Sequence, residues 1–265
     1  MGHTPGEEYR PAYTLDNTWR AARERLEKLE TVCDPLTARH LDEVGLRAGW
    51  HCLEVGAGAG SVALMLSERV GPEGRVVAVD LEPALLAGVA APNLEVQRLD
   101  IVVDALPEAA FDLVHSRMVL LHLPQRDELV AKLARALRPG GVLLLEESDL
   151  RATFAAEEDV FRPSIVAMYR PLPAAGWDVY WPSTGMLGRL EAAGLVDIDS
   201  LTEPMTFMGG SPFAEFFQLS CQQLMERLPY TDAERALIEA GLAAIAQPGG
   251  PYLAWEMITA WGRRP

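Results

Sequence analysis

Residues 53–61, LEVGAGAGS, constrain the fold more than any other stretch of the chain. Gly56, Gly58 and Gly60 follow an apolar run ending at Val55 and precede SVALMLSERV, whose apolar residues recur at helical spacing. Glycine is required where a backbone takes positive φ or where another group comes against it. The stretch therefore reads as a strand, a tight turn and a helix whose first N–H groups are free, a setting suited to an adenosine-containing cofactor. Two kinds compete. A dinucleotide motif, G-x-G-x-x-G, would place its third glycine at position 61 and its pyrophosphate on the helix N-terminus. Position 61 is serine, and Glu54 stands two residues before the first glycine. A carboxylate there suits a cationic amino group and does nothing for a pyrophosphate.

From residue 34 onward strands and helices alternate. Asp34-Pro35 reads as an N-cap with proline at the first helical position, opening a helix that stops near Gly45. WHCLEV is the first strand, RVVAVD the second, EPALLAGVAA a helix closed by Pro92, NLEVQRL the third strand and FDLVHS the fourth. PQRDELVAKLARAL is amphipathic, with Leu129, Leu133 and Leu137 on one face, and RPGG stops it before the strand VLLLEE. This alternation predicts an α/β fold, a doubly wound and mostly parallel sheet with helices on both faces and right-handed crossovers. With 265 residues and 49% hydrophobic content the chain can bury the core of one large domain or of a domain with an inserted cap.

Composition removes several partners. The 38 acidic against 23 basic residues give a net charge of −15, which opposes the phosphate neutralisation that nucleic-acid binding needs. Cys33, Cys52 and Cys221 lie far apart without C-x-x-C spacing, so neither a zinc knuckle nor a disulfide framework is expected, and no other ligand cluster calls for a metal. The N-terminal MGHTPGEEYRPAYTLDN lacks a basic region leading into an apolar run, and no apolar stretch approaches the roughly 18 residues of a membrane span. The chain reads as cytoplasmic, without a membrane partner, and as a monomer or homodimer.

Ligands of open α/β sheets bind beyond the carboxyl ends of the strands, and acids recur there. Asp80 ends the second strand 20 residues after Gly60, where a carboxylate accepts both hydroxyls of a ribose and repels a 2′-phosphate. Asp100 and Ile101 would flank an adenine, the acid near its exocyclic amine and the apolar side chain on its ring. Taken singly, Asp80 is equally a cap before EPALL and Asp100 a turn residue. Taken with the glycine turn, the nucleoside reading prevails.

The glycine loop, the acid ending the second strand, the acid after the third, FDLVHSRMVLLHLP and the LRPGG turn occur in an order and spacing that resemble a class I S-adenosylmethionine-dependent methyltransferase. The likeness is to the small-molecule type, UbiE-like or of actinobacterial secondary metabolism. GMLGRLEAAGLVDID resembles the family's helix and sixth strand, and YLAWEMITAWGRR its antiparallel seventh. The resemblance implies a Rossmann-like seven-stranded sheet with an antiparallel last strand, and S-adenosyl-L-methionine as cofactor. It places Glu54 and the backbone at Gly56, Ala57 and Gly58 at the methionine moiety, Asp80 with Leu81 at the ribose, and Asp100 with Ile101 at the adenine. Ser116 matches a position whose backbone meets the cofactor, and His122 one where a histidine starts a helix beside it. Arg117 matches a position facing the methyl group or the acceptor; its alternative is an ion pair with Glu146, Glu147 or Asp149. His115, within the fourth strand, is the second catalytic candidate.

Methyl transfer from a sulfonium is an in-line displacement, so the protein's main tasks are to align an acceptor lone pair and exclude water. A base is optional and helps a phenol most. Trp19, Ala22, Leu26 and Leu29 share one face of a helix started by Asp16 or Asn17, and with Tyr13 before it the resemblance implies a lid over the cofactor. The chain then divides into a lid region at 1–33, a cofactor-binding core at 34–149, a cap insertion at 150–183, and 184–265, which completes the sheet around a helical insertion at 211–247. Thr231 and Glu234 form a capping box in that insertion. Ten of 19 aromatic residues lie between 150 and 220, which predicts an acceptor pocket walled by Trp177, Tyr180, Phe207, Phe213 and Phe217. The expected acceptor is a small, largely apolar or aromatic molecule of secondary metabolism, methylated on oxygen, with nitrogen and carbon as alternatives. An NAD-dependent oxidoreductase would need a second nucleotide-binding half, which the sequence lacks. A non-catalytic S-adenosylmethionine-binding protein would tolerate loss of the glycine loop and the strand-two acid, and both are intact.

Overall fold

The first helix of the computed structural model, which describes residues 14–157 and 159–265, is α1 (Ala22–Glu43). It leads into β1 (His51–Val55), and the glycine turn joins β1 to α2 (Ser61–Val70), the bounds the apolar spacing predicts. β2 (Arg75–Asp80), β3 (Leu94–Arg98) and β4 (Phe111–Arg117) follow, then α3 (Arg126–Ala136) and β5 (Leu137–Asp149). Short helices α4 (Arg151–Ala155), α5 (Arg162–Tyr169), α6 (Trp181–Thr184) and α7 (Met186–Ala192) precede β6 (Val196–Phe207). α8 (Pro212–Arg227) and α9 (Asp232–Ile245) stand before β7 (Tyr252–Arg263).

The strands form one sheet in the order β3-β2-β1-β4-β5-β7-β6. Pairings from β3 through β5 are parallel, whereas β7 runs antiparallel to β5 and β6. This is the Rossmann-like, doubly wound sheet with an antiparallel last strand. The central run Val142–Leu145 is fully buried because helices cover both faces, while β6, at the edge, keeps many exposed positions. Strand alternation sends Cys52, Val76, Leu113 and Leu144 to the face under α1 and α2, and Leu53, Val114, Leu143 and Leu145 to the face under α3 and α7.

Three local expectations are corrected. Asp34-Pro35 opens no helix: α1 runs through Pro35, losing one backbone donor, because Cys33, Leu36 and Leu41 on either side are buried against the rest of the fold. The boundary drawn at 33/34 therefore cuts a continuous helix. Nor do Asp16 or Asn17 start it, since α1 begins at Ala22 and Asp16 instead accepts the Thr18 N–H in a preceding turn. Between β2 and β3 only Pro83–Leu86 forms a 3₁₀ turn, with Leu86 buried, in place of a helix to Pro92. The capping box does form: Thr231 Oγ1 accepts the Glu234 N–H at 3.3 Å and the Glu234 carboxylate accepts the Thr231 N–H at 2.8 Å.

Candidate active site

The turn after β1 needs its glycines for two reasons. Gly56 (φ 71°), Gly58 (φ 57°) and Gly60 (φ 100°) are left-handed, and a Cβ on Gly56 would lie 2.3 Å from Val119 Cγ2. Gly56 and Ala57 donate to the Val79 carbonyl, and Gly58 donates to Asp80 Oδ2 at 3.0 Å. Those amides are thus committed within the protein, so the loop offers close approach of backbone rather than spare donors. The N-terminus of α2 is likewise occupied by acids from α1: the Ser61 N–H donates to Glu30 at 3.4 Å and Ser61 Oγ to Asp34 at 3.0 Å. The Ser61 N–H and hydroxyl are thereby taken by carboxylates, which leaves a pyrophosphate no free donor at that residue.

A cavity of about 200 Å³ opens at the carboxyl ends of β1, β2 and β4. One end is lined by Asp80, Leu81, Glu82, Leu99, Asp100 and Ile101. Asp80 also accepts the Glu82 N–H at 2.9 Å, so it fastens the two loops, and burial raises its pKa from the ordinary value. Asp100 accepts the Val102 N–H at 2.9 Å in a tight turn. The turn reading of Asp100 holds, whereas Asp80 does not cap the 3₁₀ turn, whose first residue follows Glu82 without a side-chain cap; both acids face the cavity. Gly56, Gly58, Arg117 and His122 line it as well.

The other end is apolar. Met168, Trp177, Phe217 and Leu224 are among its walls, while Leu26 of α1 lies over Gly58, and segment 14–21 is clasped to α8 through Trp19–Glu226 (2.9 Å) and Arg20–Glu226 (2.8 Å). Arg117 does not pair with Glu146, Glu147 or Asp149; its Nη1 donates to Asp34 Oδ1 and Thr37 Oγ1 of α1, both at 2.9 Å. Met118, next to it, has φ 54°, a strained backbone at the cavity wall. The His122 ring packs edge-on against Trp177, centroids 3.9 Å apart, and burial, with Arg25 nearby, lowers its pKa to about 3. It is therefore neutral at physiological pH.

Several expected site residues lie elsewhere. Glu54, Ala57 and Ser116 do not line the cavity, and Tyr13 lies outside the described residues. Phe207 and Phe213 pack into the aromatic core with Phe217, at 5.2 and 5.5 Å between centroids, and do not reach the cavity. Tyr180 is exposed and borders a separate shallow groove with Pro124 and Arg126. Of the five proposed pocket aromatics, Trp177 and Phe217 are in place. Met118, Ser220 and Trp255 line the cavity without having been singled out.

His115 is corrected from a catalytic to a structural position. It is fully buried on the α1 face of the sheet, away from the cavity, with Nδ1 2.6 Å from Glu54 Oε2 and Nε2 3.2 Å from Glu146 Oε2. Glu146 also accepts from Thr37 Oγ1 at 2.6 Å and bonds His40 Nδ1, and His40 Nε2 lies 2.9 Å from Glu203. A row of alternating carboxylates and imidazoles thus crosses β1, β4, β5 and β6 beneath α1. Burial alone would lower the His115 pKa, but Glu54 and Glu146 outweigh it and push it up to about 9. Against the same burial, His115 and His40 hold Glu146 below the usual carboxylate range. Its neighbour Glu147 points to the opposite face, and burial raises it to about 8 although it accepts N–H bonds from Val119, Leu120 and Leu121. Among the described residues no group of three His, Cys, Asp or Glu is arranged to hold a metal ion, and no helix is long and apolar enough to cross a membrane.

A glycine turn heading a parallel sheet, acids beyond β2 and β3 and an antiparallel β7 together define a Rossmann-like protein of the class I methyltransferase fold. Residues 53–145 match the family described as methyltransferase domain. The nocamycin O-methyltransferase of Saccharothrix syringae is 32% identical over 190 residues, covering 64% of this chain and 68% of that protein. The methyltransferase str2 of Strobilurus tenacellus is 28% identical over 163 residues (60% and 58%), and the ubiquinone/menaquinone biosynthesis C-methyltransferase UbiE of Pseudomonas putida 34% over 112 residues (39% and 43%). The match to the last two thus spans less than two thirds of their lengths. A solved Haemonchus contortus phosphoethanolamine N-methyltransferase 2, in complex with phosphomonomethylethanolamine and S-adenosylhomocysteine, superposes with a TM-score of 0.60 at 16% identity, covering 98% of this chain and 61% of that one. This chain belongs to the class I S-adenosylmethionine-dependent methyltransferases.

Proposed function

We propose that this protein transfers the methyl group of S-adenosylmethionine to a small, largely apolar or aromatic acceptor of secondary metabolism, on oxygen in preference to nitrogen or carbon. The observation that carries the reading is the cavity itself, which joins an acid-bearing end at Asp80 and Asp100 to an apolar end at Trp177 and Phe217. The oxygen preference draws on the nocamycin O-methyltransferase likeness. In this reading Asp80 with Leu81 holds the ribose and Asp100 with Ile101 the adenine.

When bound, the cofactor supplies an electrophilic methyl on a cationic sulfur. The protein's residues contribute position and dryness. Leu26 and Leu29 close the cavity over the glycine turn, and Trp177 with Phe217 exclude water from the acceptor. Glu30 supplies a carboxylate at the start of α2, and Arg117, neutralised by Asp34, lines the cavity. His122 is neutral yet weakly basic, so the rate rests on alignment more than on proton removal.

The test has two arms. Calorimetry should give micromolar affinity for S-adenosylhomocysteine, about −8 kcal/mol, and no binding of NAD. An acceptor screen read by mass spectrometry should then return a product one methylene heavier from phenols before amines. Binding of NAD without S-adenosylhomocysteine would defeat the assignment.

A further inference from the structure

The apolar end of the cavity carries two polar groups that the protein leaves unanswered. Trp255 of β7 is 2% exposed and Ser220 of α8 is 4% exposed; both line the cavity, and neither the indole N–H nor Ser220 Oγ has a hydrogen-bond partner among the described residues. The contrast with the other buried indoles is direct. Trp19, Trp177 and Trp181 donate to Glu226 (2.9 Å), Thr14 (3.0 Å) and Asp127 (2.9 Å). Buried donors without acceptors are rare, and one on a cavity wall points to a ligand atom.

The two groups belong to one patch. Phe216 and Phe217 stand four and three residues before Ser220 and Leu224 four after it along α8, so each shares a helix face with Ser220, and all four line the cavity. The rings of Phe216 and Phe217 lie 5.9 and 5.5 Å from that of Trp255, which brings β7 against the same face. The two arginines that line the cavity are committed elsewhere, Arg117 to Asp34 and Arg25 to the Leu15 carbonyl at 3.1 Å. An anion bound at the α8–β7 patch would meet one neutral N–H and one hydroxyl amid phenylalanine and leucine, too little to replace its hydration.

We infer that Trp255 and Ser220 form the recognition point for an uncharged acceptor, donating to a carbonyl oxygen carried on an apolar ring system. This rests on the reading of the cavity as a methyl-acceptor site and narrows its substrate class to neutral, carbonyl-bearing molecules.

The experiment uses the full chain saturated with S-adenosylhomocysteine and two probes of near-equal shape, 2-acetylnaphthalene and 2-ethylnaphthalene, which differ by one carbonyl oxygen. The acetyl compound should bind about tenfold tighter. It should move the Trp255 indole N–H resonance, assigned through Trp255→Phe, downfield of its position with the ethyl compound bound. Ser220→Ala, a small change, should shrink the preference several-fold while the affinity for S-adenosylhomocysteine stays as in the parent. Equal affinity of the two probes, or a Trp255 resonance no further downfield with the acetyl compound bound than with the ethyl, overturns the inference and leaves a buried water as the partner of these groups. Failure of both probes to bind a protein that does bind S-adenosylhomocysteine overturns it as well. Failure to bind S-adenosylhomocysteine instead removes the methyltransferase reading beneath it.

Discussion

Glu146 and Glu147 are adjacent, both at most 1% exposed, and held in opposite ionisation states, so removing the charge from each should have opposite consequences. Glu146 is an ionised partner of two imidazoles and the Thr37 hydroxyl. Glu146→Gln leaves His115 and His40 facing a neutral amide inside the protein, and breaking a buried pair from one side costs about 3–5 kcal/mol. Glu147, raised from 4.5 to about 8, keeps its proton at neutral pH, so glutamine is nearly its isostere. The sign of its pH dependence follows from linkage. The unfolded chain releases this proton near 4.5 and the folded chain retains it to about 8, so stability falls as pH rises across that window, by about 5 kcal/mol in all. Glu147→Gln removes that decline. Its stability should lie within about 1 kcal/mol of the parent near pH 5 and exceed it increasingly toward pH 8. Urea denaturation at several pH values, with equal m-values as a control for a common folded state, reads both effects. Equal cost for the two substitutions, or a Glu147→Gln variant that loses ground to the parent as pH rises, would refute the assignment of charge.

Asp80→Ala should weaken S-adenosylhomocysteine binding by roughly 1.5–3 kcal/mol in calorimetry, through lost charge-assisted bonds to the ribose; an unchanged affinity would mean that Asp80 serves only the Gly58 and Glu82 amides. Gly56→Ala must place a methyl 2.3 Å from Val119 Cγ2 at φ 71°, and should cost about 1–3 kcal/mol in thermal unfolding, with an undisturbed melting temperature counting against the geometry. His115, pushed up to about 9, contributes stability that is complete below its ordinary 6.5 and is lost as pH rises through 9; a ring titration near 6.5 by NMR would contradict this. Methyl transfer should survive EDTA, and loss of turnover restored by magnesium would show a metal requirement.

The glycine turn and the helix after it were legible because their signals are local. A glycine turn needs positive φ within five residues, and Ser61–Val70 repeats its apolar face within one helix, so turn and helix could be placed from their own letters. Asp34-Pro35 misled for the same reason. It carries the local marks of a helix start, and only the distant partners Ser61 and Arg117 explain why that carboxylate lies mid-helix. The aromatic excess located the inserted core but could not say which rings face the cavity: Phe217 and Phe213, one helical turn apart, divide between wall and interior. The row from Glu54 to Glu203 was invisible, since its contacts join residues 31 to 163 positions apart.

The strand order has a consequence for how the molecule assembles. β7 lies between β5 and β6, so two strands made earlier must wait, each with an open edge, for one made later. On a growing chain the cavity-lining loops after β1, β2 and β4 can take shape against each other well before the sheet is whole. The floor beneath the apolar end, where Trp255 sits, arrives only with the intervening strand, through contacts of large sequence separation that form slowly. Until then the exposed edges of β5 and β6 are the surfaces on which a nascent chain would mispair, and holding them apart falls to whatever shields the chain as it emerges.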